Sequence, residues 1–115
     1  MKSIEAVKAL GALAQESRLA VFRLLVRRGP DGFTPSVIAH RLQIAGPTLS
    51  FHLKELQSAG LVASRREGRF LFYGARFDRI RSLVDFLTAE CCSQADENCD
   101  VDCNPIAAPS KRRSA

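Results

Sequence analysis

No cysteine occurs in the first 90 of the chain's 115 residues, and no lysine or arginine occurs between residues 90 and 103. No apolar run approaches the roughly 18 residues that a membrane span requires. The opening MKSIEAVKALGALAQE places Glu5 and Lys8 where a secretory signal needs an unbroken apolar stretch. No internal repeat is found. These absences argue against a membrane-spanning segment and lead us to expect a cytoplasmic protein with no membrane partner. In that compartment lasting structural disulfides are rare, and clustered thiols more often bind metals or carry redox chemistry.

What is present fits one folded domain. Hydrophobic residues make up 46% and charged residues 25% of the chain, ordinary globular values, and the length suffices for a single core. Charge is unevenly placed. Residues 1–89 carry 14 lysines and arginines against seven acids, a net of +7, while residues 90–103 carry five acids and no base. Lys111, Arg112 and Arg113 then make the last dozen residues basic. A basic body suits a polyanion such as nucleic acid, although solubility alone is a competing reading.

Along the chain, Ile4, Val7, Leu10 and Leu13 recur at helical spacing, and a second set follows at Leu19, Phe22, Leu25 and Val26. Ser17 is placed to cap that second helix. Gly29-Pro30-Asp31-Gly32 predicts a turn, and Thr34-Pro35 an N-cap followed by proline at the first helical position. The short helix so opened runs to about Leu42. Pro47 starts another, which ends at Gly60. Leu61–Arg65 and Arg69–Tyr73 then read as a β-hairpin turning at Arg66-Glu67-Gly68. From Arg76 the helical period returns, with Phe77, Ile80, Val84, Leu87 and Cys91 on one stripe and Leu83 and Phe86 beside it.

Two short helices joined by a tight turn and followed by a basic hairpin predict a winged helix-turn-helix, mainly α with a β-hairpin wing. In the second of those helices Leu49, Leu53 and Leu56 form the core-facing stripe. Pro47, Thr48, Phe51, Lys54, Glu55 and Ser58 lie opposite, with Ser50 and His52 at the flanks. Small and polar side chains near a helix N-terminus can approach base edges. Phe51 would contact thymine methyl groups or else pack on a neighbouring element. His52 would contact DNA or else be a partly buried, hydrogen-bonded histidine. Arg65, Arg66 and Arg69 crowd the hairpin turn, a placement suited to phosphates or the minor groove.

Residues 4–92 resemble the ArsR/SmtB family of bacterial metal-responsive repressors. The resemblance is carried by LAQESRLAVFRLL in the second helix, by IAHRLQIAGPTLSFHLKELQSAGLV through the recognition helix, and by SRREGRFLFYGA in the wing. It implies a homodimer on double-stranded operator DNA, built from the first and last helices, with Ile4, Val7, Leu83, Phe86 and Leu87 as candidate interface residues. A last helix apolar on more than one stripe agrees, because it has more surface to bury than so small a domain uses. Half-sites about one helical turn apart follow.

Members of such a family release DNA when an inducer binds, but the usual inducer positions are vacant here. The Cys-x-Cys of arsenic-sensing members would fall near Thr34 to Ser36, where there is no cysteine. The Asp and His set of zinc-sensing members would need histidines on the last helix. Asp85 is there, but the chain's two histidines are His40 and His52. All four thiols instead lie in TAECCSQADENCDVDC, at Cys91, Cys92, Cys99 and Cys103.

Adjacent residues point about 100° apart on a helix, so Cys91 and Cys92 can share one ion only if the helix ends there. Cys99 is then the expected third ligand because it closes the shorter loop, with Cys103 as the competitor. Three soft thiolates suit As(III) or Sb(III), the expected inducer, and no organic cofactor is implied. Cadmium, lead or zinc on a thiolate set is the alternative; the acidic loop favours a divalent cation, but vicinal cysteines are unusual in zinc sites. A redox pair is a further reading, although no basic residue lies nearby in sequence to activate a thiol. A catalytic thiol would want an anion-binding loop or a helix N-terminus, so an enzyme is not expected. The expected organisation is a DNA-binding and dimerisation domain over 1–92, an acidic cysteine-rich metalloid loop over 93–103, and a disordered basic tail over 104–115.

Overall fold

A computed structural model describes residues 1–94 of the chain. In order these form α1 (Ser3–Leu13), α2 (Glu16–Arg28), α3 (Pro35–Leu42), α4 (Gly46–Ser58), β1 (Val62–Glu67), β2 (Phe70–Ala75) and α5 (Phe77–Leu87). The strands pair antiparallel from Val62 opposite Ala75 to Glu67 opposite Phe70. A single bridge from Phe33 to Tyr73 adds a third, one-residue edge. Five helices and a hairpin in this order are a winged helix-turn-helix, as the sequence predicts.

The core is built where α2, α3 and α4 meet the root of the hairpin. Val21, Leu25, Ile38, Leu49, Leu56, Leu61 and Val62 are fully enclosed there. Leu49, Leu53 and Leu56 are the buried stripe of α4, as their spacing requires. Gly60 follows α4 with φ +82, a conformation that favours glycine, and Leu61 N–H then reaches back to the Leu56 carbonyl at 3.0 Å.

Several local details differ from expectation, each for a physical reason. On α1 the buried residues are Ala6, Ala9 and Ala12; Ile4 and Val7, the candidate interface residues, are 76% and 66% exposed, as an interface role requires of the single chain. Alanine lets α1 approach its neighbours closely, with Ile4, Val7 and Leu10 turned outward and Leu13 packed against the core. Leu19 and Val26 of α2 likewise sit at the surface, while Val21 and Leu24 join Phe22 and Leu25 inside. Gln15, not Ser17, caps α2, its side-chain oxygen accepting from Arg18 N–H at 2.8 Å. Thr34 and Pro35 begin α3 as predicted. Pro47 is the second residue of α4, which opens one position earlier at Gly46.

The hairpin extends further toward its tip than expected. Glu67 pairs with Phe70, so the turn is Gly68-Arg69, with Gly68 at φ +63. The last helix is shorter than its periodicity: α5 ends at Leu87, and Thr88 closes it by donating its hydroxyl to the Val84 carbonyl at 2.8 Å. Cys91 therefore lies beyond α5. Leu83, expected at a dimer interface, is only 3% exposed within the single chain and belongs to its core, whereas Phe86 and Leu87 remain exposed. A helix that packs on α1 must turn one stripe inward, and Leu83 is on that stripe.

Candidate nucleic-acid interface and cysteine site

The outward face of α4 carries Pro47, Thr48, Ser50, Phe51 and Lys54, all exposed. No acid lies in its first turn and no side chain caps it. Its leading N–H groups and positive dipole end are therefore available to a phosphate. Phe51 is 55% exposed, yet its ring is engaged: the Arg18 guanidinium stands 5.8 Å from its centre and the His52 ring 5.9 Å away at a 57° tilt. Arg18 also reaches Glu55 at 3.7 Å. One arginine of α2 thus holds the edge of α4 on which Phe51 and Glu55 lie. No motif announced this residue, which follows Glu16 and Ser17 in the first turn of α2.

His52 is the correction on this helix. It is 7% exposed, with no hydrogen-bond partner at Nδ1 among the described residues. Burial, assisted by the Arg18 cation, holds its imidazole below the ordinary value of 6.5. It is a neutral core residue at physiological pH and does not face solvent, because position 52 falls beside Leu49, Leu53 and Leu56.

The wing's arginines are not equivalent. Arg65 pairs with Glu67 at 2.7 Å, donates to the Pro30 carbonyl at 3.3 Å and lies 5.1 Å from the Phe72 ring centre. It braces the wing root against the loop before α3. Arg66 and Arg69 are exposed near the tip and make no ion pair among the described residues. These two are free to meet a phosphate backbone.

Past α5 the chain makes two tight turns, with Cys91 N–H on the Thr88 carbonyl at 3.0 Å and Ser93 N–H on the Glu90 carbonyl at 2.9 Å. Glu90 and Cys92 take left-handed φ values of 57° and 65°. This backbone brings the Cys91 and Cys92 sulfurs to 3.6 Å. A metal–sulfur bond of about 2.3 Å and an angle between about 100° and 109° would separate two thiolates by about 3.5–3.8 Å. The pair therefore has the spacing of two donors on one centre. Cys99 and Cys103 lie outside the described residues, and no cluster of three metal-ligating side chains occurs among the described ones. At the alternative inducer positions, Thr34 and Ser36 share a 3.3 Å hydroxyl contact and Asp85 is exposed. No described helix is long and apolar enough to cross a membrane.

Recognition helix, wing and buried root together define a winged helix-turn-helix DNA-binding module. A family model described as a helix-turn-helix domain matches residues 13–65. An uncharacterized HTH-type transcriptional regulator of Methanocaldococcus jannaschii is 34% identical over 83 residues, 72% of this chain and 88% of its own. The transcriptional activator HlyU of Vibrio cholerae is 29% identical over 85 residues, covering 74% and 76%. An arsenic resistance transcriptional regulator of Pseudomonas putida is 31% identical over 61 residues, covering 53% and 46%.

Among solved structures, an ArsR-like transcriptional regulator from Rhodococcus is similar at a TM-score of 0.65 and 30% identity, covering 73% of this chain and 74% of that one. A homodimeric winged helix-turn-helix DNA-binding domain from Mycobacterium bovis is similar at 0.59 and 28%, covering 78% and 83%. The chain belongs to the ArsR family of winged helix-turn-helix transcriptional regulators.

Proposed function

We propose that this chain is a cytoplasmic, arsenite- and antimonite-responsive repressor that binds operator DNA as a homodimer and leaves it when As(III) or Sb(III) binds Cys91, Cys92 and Cys99. The observation that carries the reading is the 3.6 Å approach of the Cys91 and Cys92 sulfurs where α5 ends. Exposed Phe86 and Leu87 immediately before them, with Ile4 and Val7 on α1, supply an apolar surface for a second copy. An inducer seated at that point acts on the end of the interface helix. The arsenic resistance regulator among the relatives supports the choice of inducer.

The binding step balances without a redox partner. Arsenous acid exchanges its three hydroxyls for three thiols, forming three As–S bonds and releasing three waters, each thiol proton leaving on one hydroxyl. The incoming species is neutral, so Glu90 and the acids that follow it do not repel it. Closing the site reshapes the chain after α5 and biases the dimer away from the arrangement that spans two half-sites. By linkage, DNA-bound dimer must bind the inducer less tightly, and a coupling of about 1–3 kcal/mol weakens operator binding roughly 5- to 150-fold.

A soft divalent metal is the second reading, favoured by the acids at Glu90, Asp96, Glu97, Asp100 and Asp102 around the thiols. One experiment separates the two. Operator release is measured with arsenite, antimonite, cadmium and zinc for the wild type and for each Cys→Ser variant. Arsenite should release the wild type and fail on Cys91→Ser, Cys92→Ser and Cys99→Ser, while all variants still bind DNA. Release of both Cys91→Ser and Cys92→Ser by arsenite would sink the assignment, and release by cadmium alone would select the second reading.

A further inference from the structure

Outside both the recognition helix and the cysteine pair, a cleft of about 300 Å³ opens between the C-terminal ends of α2 and α3. It is lined by Leu24, Arg27, Arg28, Phe33 and Arg41. The Arg28 guanidinium lies 4.8 Å and the Arg41 guanidinium 4.9 Å from the centre of the same Phe33 ring. Arg28 spends its Nε–H on the Gly32 carbonyl at 3.0 Å, which fixes the plane of its fork and leaves its Nη groups without a protein acceptor among the described residues. No carboxylate lines the cleft, and none of the three arginines forms an ion pair among the described residues.

Like charges repel, so two guanidiniums meet at one aromatic ring, with a third lining the same cleft, only if something offsets them. The ring's quadrupole does part of this. The negative ends of two helices do more, since Arg27 and Arg28 end α2 and Arg41 ends α3. Those helix ends account for a cation at each terminus; they do not account for the convergence of both on Phe33. Stacked, forked and unneutralised donors are the arrangement that receives an oxyanion with paired N–H bonds.

We propose that Arg28 and Arg41, both placed against Phe33, form with Arg27 of the same cleft a phosphate-binding site distinct from the recognition helix and the wing tip. The phosphate is either a backbone phosphate of bound DNA or one carried by a free small molecule. Phe33 is joined to the wing by mutual hydrogen bonds with Tyr73 at 3.0 and 2.8 Å. Occupying the cleft therefore also loads the strand that carries the wing. Only the DNA source rests on the DNA-binding function.

The test uses the full chain, the single changes Arg27→Gln and Arg41→Gln, and the double variant. Both side chains are exposed, so thermal melts should match the wild type; Arg28 is left in place because it also holds the Gly32 loop. In the first arm, affinity for an operator duplex and an unrelated duplex is measured across a series of salt concentrations. A DNA phosphate predicts about 10-fold weaker binding of the double variant to both duplexes, with the salt slope smaller by about one per phosphate lost. In the second arm, inorganic phosphate is titrated into DNA-free protein while arginine Nε–H and Phe33 amide resonances are followed. A free ligand predicts saturable shifts in the wild type that vanish in the double variant, with DNA affinity unchanged. No change in either arm overturns the site. A wild type that binds no duplex at all would refute the DNA function, while the phosphate arm would still decide the site.

Discussion

Arg18 of α2 lies 3.7 Å from the Glu55 carboxylate of α4, with its side chain largely enclosed and that of Glu55 close to half exposed. The same guanidinium faces Phe51, one turn back on α4. A single residue outside the helix-turn-helix pair thus contacts two side chains one turn apart on the recognition helix, beside the buried Leu49, Leu53 and Leu56 stripe.

Arg18→Ala should cost about 1–2 kcal/mol, combining a partly exposed ion pair and a cation–π contact. Operator affinity should fall more than nonspecific DNA affinity, because base contacts depend on helix roll and phosphate contacts much less. Arg18→Lys should keep the charge and recover only part of the loss, since a lysine cannot lay a plane on Phe51. Equal loss on operator and random duplex would show that Arg18 contributes charge and nothing more. Chemical denaturation and binding titrations read both effects.

His52 makes stability depend on pH. Its folded-state pKa lies below 6.5, lowered first by burial and then by Arg18, so the folded chain resists a proton that the unfolded chain accepts. Stability from this group is therefore complete above about pH 6.5, declines as pH falls below it, and stops changing below the folded-state value. Denaturation midpoints between about pH 5.5 and 7.5 should slope accordingly in the wild type. In His52→Leu the slope should flatten. A wild-type profile already flat in that window would contradict the neutral, buried imidazole.

Leu83 and Leu87 sit one turn apart on α5 and should fail differently. Leu83→Ala opens the core and should cost about 2–4 kcal/mol in unfolding measurements. Leu87→Glu, at a position 56% exposed, should leave the single chain folded and shift the proposed dimer to monomer in sedimentation. A monomeric but fully stable Leu83→Ala variant would reverse the roles assigned to the two residues.

Gly32 and Gly68 both have positive φ, +73 and +63, but their surroundings differ. A Cβ on Gly32 would collide with the Tyr73 carbonyl, and one on Gly68 would meet nothing. Gly32→Ala should cost more than about 2 kcal/mol, combining left-handed strain with a backbone clash. Gly68→Asn should cost under about 1 kcal/mol, because asparagine tolerates that conformation. Comparable melting temperatures for the two variants would remove the argument that Phe33 and Tyr73 must approach closely.

Much of this architecture could be read from spacing. Leu49, Leu53 and Leu56 repeat at the helical period, so the inner face of α4 was visible in one dimension, as was the chemistry of its outer face. Thr34-Pro35 and Gly60 marked helix ends because capping and left-handed turns are local properties. The ArsR membership was legible in the stretch from Ser50 to Val62. The identity of the contacts was not. Whether Ile4 or Ala6 faces inward on α1 depends on how near a neighbouring helix can come, and both stripes are apolar.

The sequence by itself determined the order of elements, the basic body, the recognition-helix face and the concentration of every thiol after residue 90. These follow from local propensity, periodicity and composition, which need no partner in space. Only the tertiary structure decided that His52 is enclosed, that Leu83 belongs to the core, that Arg65 braces the wing root, and that α5 stops before Cys91. Only it brought Arg28 and Arg41 to Phe33 from two helices, with Arg27 lining the same cleft. Each of those outcomes depends on which surfaces pack together, and the spacing of residues along one helix carries no information about the surface of another.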